Sequence, residues 1–350
     1  MMRRPLLQRH AVRSAIVFRA LRLGDMLCAV PALRALRAAL PDARIALTGL
    51  PWAAQFAQRF HAYVNEFIPF PGHPMLPEPA PRHEDLSAFY TNVSDRGFDL
   101  ALQLHGGGDA SNHIVASFGA RVMAGFSRKE ARQTERALLL PYPEDGSESE
   151  RLLRLTERIG APSAGTHLEF PLLPEDLDEL AASQVAPGLE AGRYICIHPG
   201  ARRRDKCWPP ACFAEVADRL HAEFGMATVL TGSADEAPLV HAVAGRMRSP
   251  AIEAAAPISI GAMAALMSRA RLLVCNDTGV SHIAAGLGLN SVVVFSQAEI
   301  VRRAPLDRLR HRCIWDPTAE RADVVLQHAR ALLAGTAPSG QRATGMWPYW

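Results

Sequence analysis

The run Leu272-Leu273-Val274-Cys275-Asn276-Asp277-Thr278-Gly279-Val280-Ser281-His282-Ile283-Ala284-Ala285-Gly286-Leu287 decides the fold class of this chain. Its first four residues have the length and bounds of a strand buried on both faces. From Gly279 onward, small and apolar residues (Val280, Ile283, Ala284, Leu287) recur at helical spacing. A strand that turns into a helix through Asn-Asp-Thr-Gly exposes free backbone N–H groups and the positive end of a helix dipole. That arrangement suits an anionic ligand, and Asp277, Thr278 and His282 are grouped where it would sit. The run therefore predicts an α/β unit with a phosphate-bearing substrate.

The same alternation extends in both directions. Downstream of 190, Tyr194–Ile197, Ala227–Leu230 and Val292–Phe295 read as short buried strands beside Leu272–Cys275. Helices are expected near Pro210–Phe224, Ala234–Met247, Ser259–Ala270 and Gly279–Leu287. Upstream, Ala15–Phe18, Arg44–Leu47, Glu66–Pro69 and Phe98–Leu104 read as strands. Met26 to Leu40 reads as an amphipathic helix that Pro31 interrupts or restarts. Strands alternating with helices predict βαβ units and parallel sheets. With 350 residues the chain is too long for one ordinary core and fits two domains of roughly 150 residues.

The expected division is a first Rossmann-like domain over 1–172, a linker over 173–192 and a second over 193–333. The linker zone is acidic and contains Pro174, Pro187 and Gly188. A tail over 334–350, rich in Gly, Pro and Ser, is expected to be loosely ordered despite Trp347, Tyr349 and Trp350. Phe70 to Arg82 carries five prolines and reads as a loop, either a plain surface excursion or a mobile flap.

Composition narrows the function classes. Hydrophobic residues are 49% and charged residues 21%, which fits a globular chain, and no apolar run approaches the roughly 20 residues of a membrane span. Four arginines lie within Met1–Arg13, but no apolar segment of signal-peptide length follows, so a cytoplasmic location is expected. Six scattered cysteines without a C-x-x-C pair predict reduced thiols rather than disulfides or zinc. A net charge of +3 does not imply nucleic acid and is compatible with an anionic membrane surface. Of the 38 basic residues only Lys129 and Lys206 are lysine and the rest are arginine, so each lysine invites a reason.

Four further groups carry chemistry. Gly24-Asp25 follows the first strand and precedes the first helix; an Asp there is by default an N-cap. Its functional alternative is a general base at the carboxyl end of a sheet. His198-Pro199-Gly200-Ala201 follows a strand and leads into Arg202-Arg203-Arg204-Asp205-Lys206-Cys207-Trp208-Pro209. Gly200 permits close backbone approach, and Lys206 offers a compact ammonium to a diphosphate. In Thr231-Gly232-Ser233-Ala234-Asp235-Glu236, either carboxylate would cap the next helix or hold a ribose hydroxyl pair.

Other signals are discounted. His105-Gly106-Gly107-Gly108 looks like an esterase oxyanion loop, yet no G-x-S-x-G elbow exists in the chain. No G-x-G-x-x-G follows a strand, there is no Walker A motif, and the histidines form no H-x-x-x-H pair. Neither a metal nor a cofactor is expected.

Taken in order, Leu23-Gly24-Asp25, the H-P-G-A…K-x-W-P block at 198–209, T-G-S-A-D-E at 231–236 and N-D-T-G-V-S-H at 276–282 resemble the ADP-heptose:lipopolysaccharide heptosyltransferase family, glycosyltransferase family nine. The resemblance spans roughly residues 14 to 296. It implies a GT-B fold, two Rossmann-like domains with parallel sheets facing a central cleft. It also implies inverting, metal-independent glycosyl transfer, most naturally of heptose from ADP-heptose onto a lipopolysaccharide core or related glycan. On that reading Asp25 matches the family's general base and Lys206 the lysine on the donor phosphates. Asp277, Thr278, Gly279 and His282 match the donor-binding turn, with Gly200 nearby, and Asp235 or Glu236 falls near the ribose-binding acid.

The implied partners are a nucleotide-sugar donor and a lipid-linked glycan acceptor, with no nucleic acid, and peripheral contact with the inner face of the inner membrane is compatible with them. The chain departs from the family where some heptosyltransferases place hydroxyl residues before the lysine: here stand Ala201 and three arginines. Two alternatives predict different behaviour. An epimerase-type enzyme on the same fold would turn over donor alone whether or not residue 25 is acidic. A non-catalytic nucleotide-binding protein would transfer no sugar at all.

Overall fold

The computed structural model describes residues 4–77, 83–129, 132–297 and 299–335. Its contacts divide the chain into two units: residues up to Pro171 together with Val301–Arg303, and Leu172–Ile300 together with the chain from Ala304.

The first unit holds β1 (Ser14–Phe18), β2 (Arg44–Gly49), β3 (Glu66–Pro69), β4 (Leu100–Gln103), β5 (Val122–Ser127), β6 (Arg132–Gln133) and β7 (Ala137–Pro141). They form one sheet in the order β3-β2-β1-β4-β5-β7-β6. Every pairing is parallel except the short β6–β7 edge. The second unit holds β8 (Tyr194–His198), β9 (Ala227–Gly232), β10 (Ala251–Ala255), β11 (Leu272–Asn276), β12 (Ser291–Phe295) and β13 (His311–Trp315). Its sheet is parallel throughout, in the order β10-β9-β8-β11-β12-β13.

Counting only the six parallel strands of each unit, both sheets run 3-2-1-4-5-6, the doubly wound order of a Rossmann fold. In each, the strand order reverses between the first and fourth strands, β1/β4 and β8/β11. That is where a ligand crevice opens at the carboxyl ends. The expected α/β architecture of two Rossmann-like units, the GT-B class, is the one observed.

Each unit has its own core. Phe18, Phe70, Phe89 and Phe118 pack edge to face in the first, with Phe18–Phe70 ring centroids 5.1 Å apart. Trp208, Phe213, Val240, Val325 and Leu326 centre one core of the second. Phe70 opens the proline-rich segment but is buried, and its N–H donates to Gly49 O at 2.8 Å. The rest of that loop over 78–82, like the tail over 336–350, lies outside the described residues.

Several local expectations change. Of the two outcomes open for Pro31 in the 26–40 segment, the restart is the one observed: Leu23–Leu27 and Val30–Ala39 are separate helices, and Pro31 sits in the first turn of the second, where no N–H is needed. Pro238 likewise starts the Ala237–Ala244 helix after a 3₁₀ turn at Ala234–Glu236, where one helix over 234–247 was expected. The zone 173–192, expected as a linker, carries the helix Pro174–Ser183. Its Glu179 carboxylate accepts a hydrogen bond from Ser259 N at 2.7 Å, so the segment belongs to the second unit. Strands β5, β6, β7, β10 and β13 carry no expectation from the sequence: β10 is mostly alanine and β5 contains Gly125.

Candidate active site

In the second unit, the switch-point crevice gathers the ends of β8, β9 and β11. Lys206 Nζ donates to Asp277 Oδ2 at 2.8 Å, with the Asp277 side chain 7% exposed. The ammonium thus stands at the start of the Gly279–Leu287 helix, whose N-cap Thr278 is extended and makes no side-chain capping bond. Instead the Thr278 carbonyl accepts from Ser281 N and Oγ. Gly279 is the first helical residue, and His282 is buried one turn further on. A lysine and the N–H groups of an uncapped first turn are together the kind of donor set a diphosphate would accept from.

The loop that carries Lys206 is pinned at Trp208 and Asn276. Trp208 is buried, and its indole N–H donates to Asp316 Oδ2 at 2.9 Å. Buried Asn276, at the end of β11, accepts from Trp208 N at 2.9 Å and donates to Pro199 O at 2.7 Å, stapling both ends of the loop after β8 to β11. The arginines that precede the lysine are exposed; Arg203 pairs with Asp205 and donates to Gln297 Oε1 at 3.3 Å.

Glu236 and Asp235 are separated by their surroundings. Glu236 Oε2 accepts from Ser233 N at 2.8 Å and Oγ at 3.0 Å, closing a capping box. The other carboxylate oxygen lies where a side chain on Gly200 would stand: a Cβ there would be 2.0 Å from Oε1. Asp235 is exposed.

His198, buried beside them, binds Thr231 Oγ1 through Nδ1 at 3.2 Å. Burial pushes its pKa below 6.5, against the pull of Glu236. The 3.8 Å approach of its Nε2 to Glu236 is therefore a contact with neutral imidazole rather than an ion pair at pH 7. Gly200→Ala should leave the melting temperature within a few degrees, since only the end of a flexible side chain must move, yet displace Glu236. Calorimetric titration with ADP should show weaker binding; unchanged affinity would mean Glu236 makes no ligand contact.

In the first unit, Asp25 lies in the first turn of the Leu23–Leu27 helix, whose N-cap is Arg22. The capping role open to Asp25 from sequence is therefore not the one it fills. Its Oδ1 is 3.5 Å from Arg303 Nη1. The loop that carries it is fixed by fully buried Arg19, whose Nε donates to Asp25 O at 2.9 Å. Arg19 also donates to Leu104 O, and its Nη2 reaches Glu148 Oε1 at 3.2 Å.

His105, across the switch point, accepts from Ala20 N at 3.1 Å through Nδ1 and stacks on Phe18 at 5.2 Å. Burial and then the Arg19 charge bring its pKa down to about 4, so the imidazole is neutral at pH 7.

Glu148 stands in the first turn of the Glu148–Ile159 helix, started by a Ser147/Glu150 capping box. Burial favours its neutral acid, but Arg19 and Arg302 outweigh that and hold its pKa below 4.5. A depressed folded pKa gives stability that is present above 4.5 and lost as pH falls through the folded value. Glu148→Ala would leave Arg19 buried and unpaired, so unfolding in urea should show a loss of about 3–5 kcal/mol. A loss below about 1 kcal/mol would show that Arg19 is satisfied without it.

Among the described residues no group of three His, Cys, Asp or Glu could hold a metal ion, and no helix is long and apolar enough to cross a membrane.

A doubly wound unit with a diphosphate-type turn, preceded by a second such unit with a carboxylate at its own switch point, defines a GT-B class protein. Residues 87–330 match Glycosyltransferase family 9 (heptosyltransferase), and the chain belongs to that family. It is 33% identical over 109 residues to lipopolysaccharide heptosyltransferase 3 of Escherichia coli, covering 30% of this chain and 32% of that protein. It is 25% identical over 218 residues to lipopolysaccharide heptosyltransferase 1 of Pseudomonas aeruginosa, covering 61% and 59%. The matched segment thus spans less than two thirds of either curated relative.

Solved structures are alike over more of their length. A glycosyl transferase family 9 structure from Veillonella parvula superposes with TM-score 0.77 at 18% identity, covering 93% of this chain and 98% of that one. The E. coli heptosyltransferase WaaC with ADP gives 0.70 at 20%, covering 91% and 99%. A UDP-GlcNAc 2-epimerase from Methanocaldococcus jannaschii gives 0.52 at 11%, covering 90% and 92%. At these identities the likeness is one of fold.

Proposed function

We propose that the protein is an inverting, metal-independent glycosyltransferase that moves heptose from ADP-heptose onto a lipopolysaccharide core or related lipid-linked glycan. The observation that carries this reading is the Lys206–Asp277 pair at the uncapped start of the Gly279–Leu287 helix. Asp25, at the switch point of the other unit, supplies the base. Its carboxylate takes the proton of an acceptor hydroxyl as that oxygen bonds to the anomeric carbon from the face opposite the leaving group. The bond from anomeric carbon to phosphate oxygen breaks, and ADP departs with the electron pair. Lys206 and the N–H groups at Thr278–Gly279 take up the charge that develops there, the part a metal plays in other transferases.

Glu236 rather than Asp235 fits the ribose role: it is half-buried and lies against Gly200, the one position of the loop where no side chain intervenes. Support for adenine comes from the E. coli relative solved with ADP. The deciding experiment is a binding and turnover screen of ADP-, GDP- and UDP-sugars. ADP-heptose should bind most tightly and be consumed only when a deacylated, heptose-deficient core oligosaccharide is present. Consumption of donor alone with a changed sugar would favour an epimerase, and binding without turnover a non-catalytic role.

A lipid-linked acceptor brings the enzyme to a membrane face. We infer peripheral attachment from the basic balance of the chain, pI near 8.6. Sedimentation with phosphatidylglycerol vesicles should show binding that weakens as salt rises from 0.01 to about 0.5 M. Absence of binding at low salt would remove this part of the reading.

A further inference from the structure

Val301–Arg303 lie far down the chain yet pack with the first unit, and two of these three residues are arginines. They end the short helix Ile300–Arg303. Arg302 is anchored deeply: its Nε donates to Glu148 Oε2 at 3.0 Å and its Nη2 to the Tyr142 hydroxyl at 2.8 Å. Its neighbour Arg303 is 42% exposed at the side chain and makes the 3.5 Å charge contact with Asp25 Oδ1.

The links close a ring. Asp25 is held at its carbonyl by Arg19, Arg19 pairs with Glu148 Oε1, and Glu148 Oε2 holds Arg302. One peptide bond further, Arg303 returns to the Asp25 carboxylate. Asp25 is thus gripped at its backbone by Arg19, which shares the buried Glu148 carboxylate with Arg302, and at its side chain by Arg303, the residue next to Arg302. An aspartate on a five-residue helix, with 28% of its side chain exposed, otherwise has rotamer freedom that a general base must give up.

We propose that Arg303 is a positioning residue for Asp25. Its guanidinium engages Oδ1 and leaves Oδ2 to receive the acceptor proton, while Arg302 on Glu148 carries Arg303 to that place. The proposal rests on Asp25 acting as the base.

The test uses the full chain with ADP-heptose and deacylated, heptose-deficient core oligosaccharide, comparing Arg303→Met, Arg303→Lys, Asp25→Asn and Asp25→Asn with Arg303→Met. Arg303→Met should lower kcat by roughly 10- to 100-fold with KM for ADP-heptose unchanged. Arg303→Lys should recover most of the loss, and Arg303→Met should cost nothing more once Asp25 is Asn. An unchanged kcat in Arg303→Met overturns the proposal while leaving the base reading intact. So does an equal loss in both backgrounds, the mark of a merely structural effect. Full activity in Asp25→Asn overturns the base reading itself, and this proposal with it.

Discussion

Asp25→Asn is expected to lower kcat by about 10²–10⁴-fold while leaving ADP affinity as it is. Asparagine keeps the size and polarity of the side chain but has no basic oxygen for the acceptor proton, so the attacking hydroxyl stays a weak nucleophile. The substitution is gentle on the fold. Arg19 holds residue 25 by its backbone carbonyl, which asparagine retains, and the contact given up is a half-exposed one to Arg303. A melting temperature close to wild type with activity lost would assign the effect to chemistry. If kcat with ADP-heptose and core oligosaccharide is undiminished, Asp25 is not the base.

Lys206→Met should act on the other substrate. A charge-assisted hydrogen bond is worth about 1.5–3 kcal/mol, so its loss should weaken ADP binding by roughly 10- to 150-fold in calorimetric titration. Lys206 is bonded to Asp277, so part of the effect will come from leaving that buried carboxylate uncompensated. Lys206→Arg should recover only part of the affinity, because a planar fork aimed by Trp208 and Asn276 cannot occupy the volume of a single ammonium. ADP affinity equal to wild type in Lys206→Met would remove the lysine from the phosphate site.

The two expectations concern different units, and the sequence spoke about them unequally. For the second unit, strand–turn–helix signals sit within a few residues of one another. Lys206 stood out by composition alone, as one of two lysines. What the sequence left open there was the choice between Asp235 and Glu236, which spacing cannot resolve because adjacent residues share every local signal. Packing separates them: Glu236 turns back on Ser233 and Gly200, while Asp235 faces solvent. The motif around His198 carries no signal of what the imidazole does; burial makes it a neutral partner of Thr231.

For the first unit, Asp25 was legible only as a cap or a base, and its actual place in the first turn after Arg22 depends on how the loop from β1 is held. Glu148 did have a local mark, the Ser147/Glu150 box of a helix start, but nothing in that mark speaks of Arg19 or Arg302. The acidic, proline-containing zone at 173–192 misled for a related reason. A proline reads locally as a breaker, whereas at the first position of the Pro174–Ser183 helix its missing N–H costs nothing.

By itself the sequence determined that this chain builds parallel α/β units, with a strand–turn–helix at β11. Hydrophobic period, proline and glycine placement and helix-start polarity all act over a few residues. Only the tertiary structure decided which side chains meet. Arg19 and Glu148 are 129 residues apart, and Glu148 and Arg302 are 154. A charge pair at such separation leaves no periodicity in the chain. It exists only because the fold buries both partners, where leaving either one alone would cost more than the pairing does.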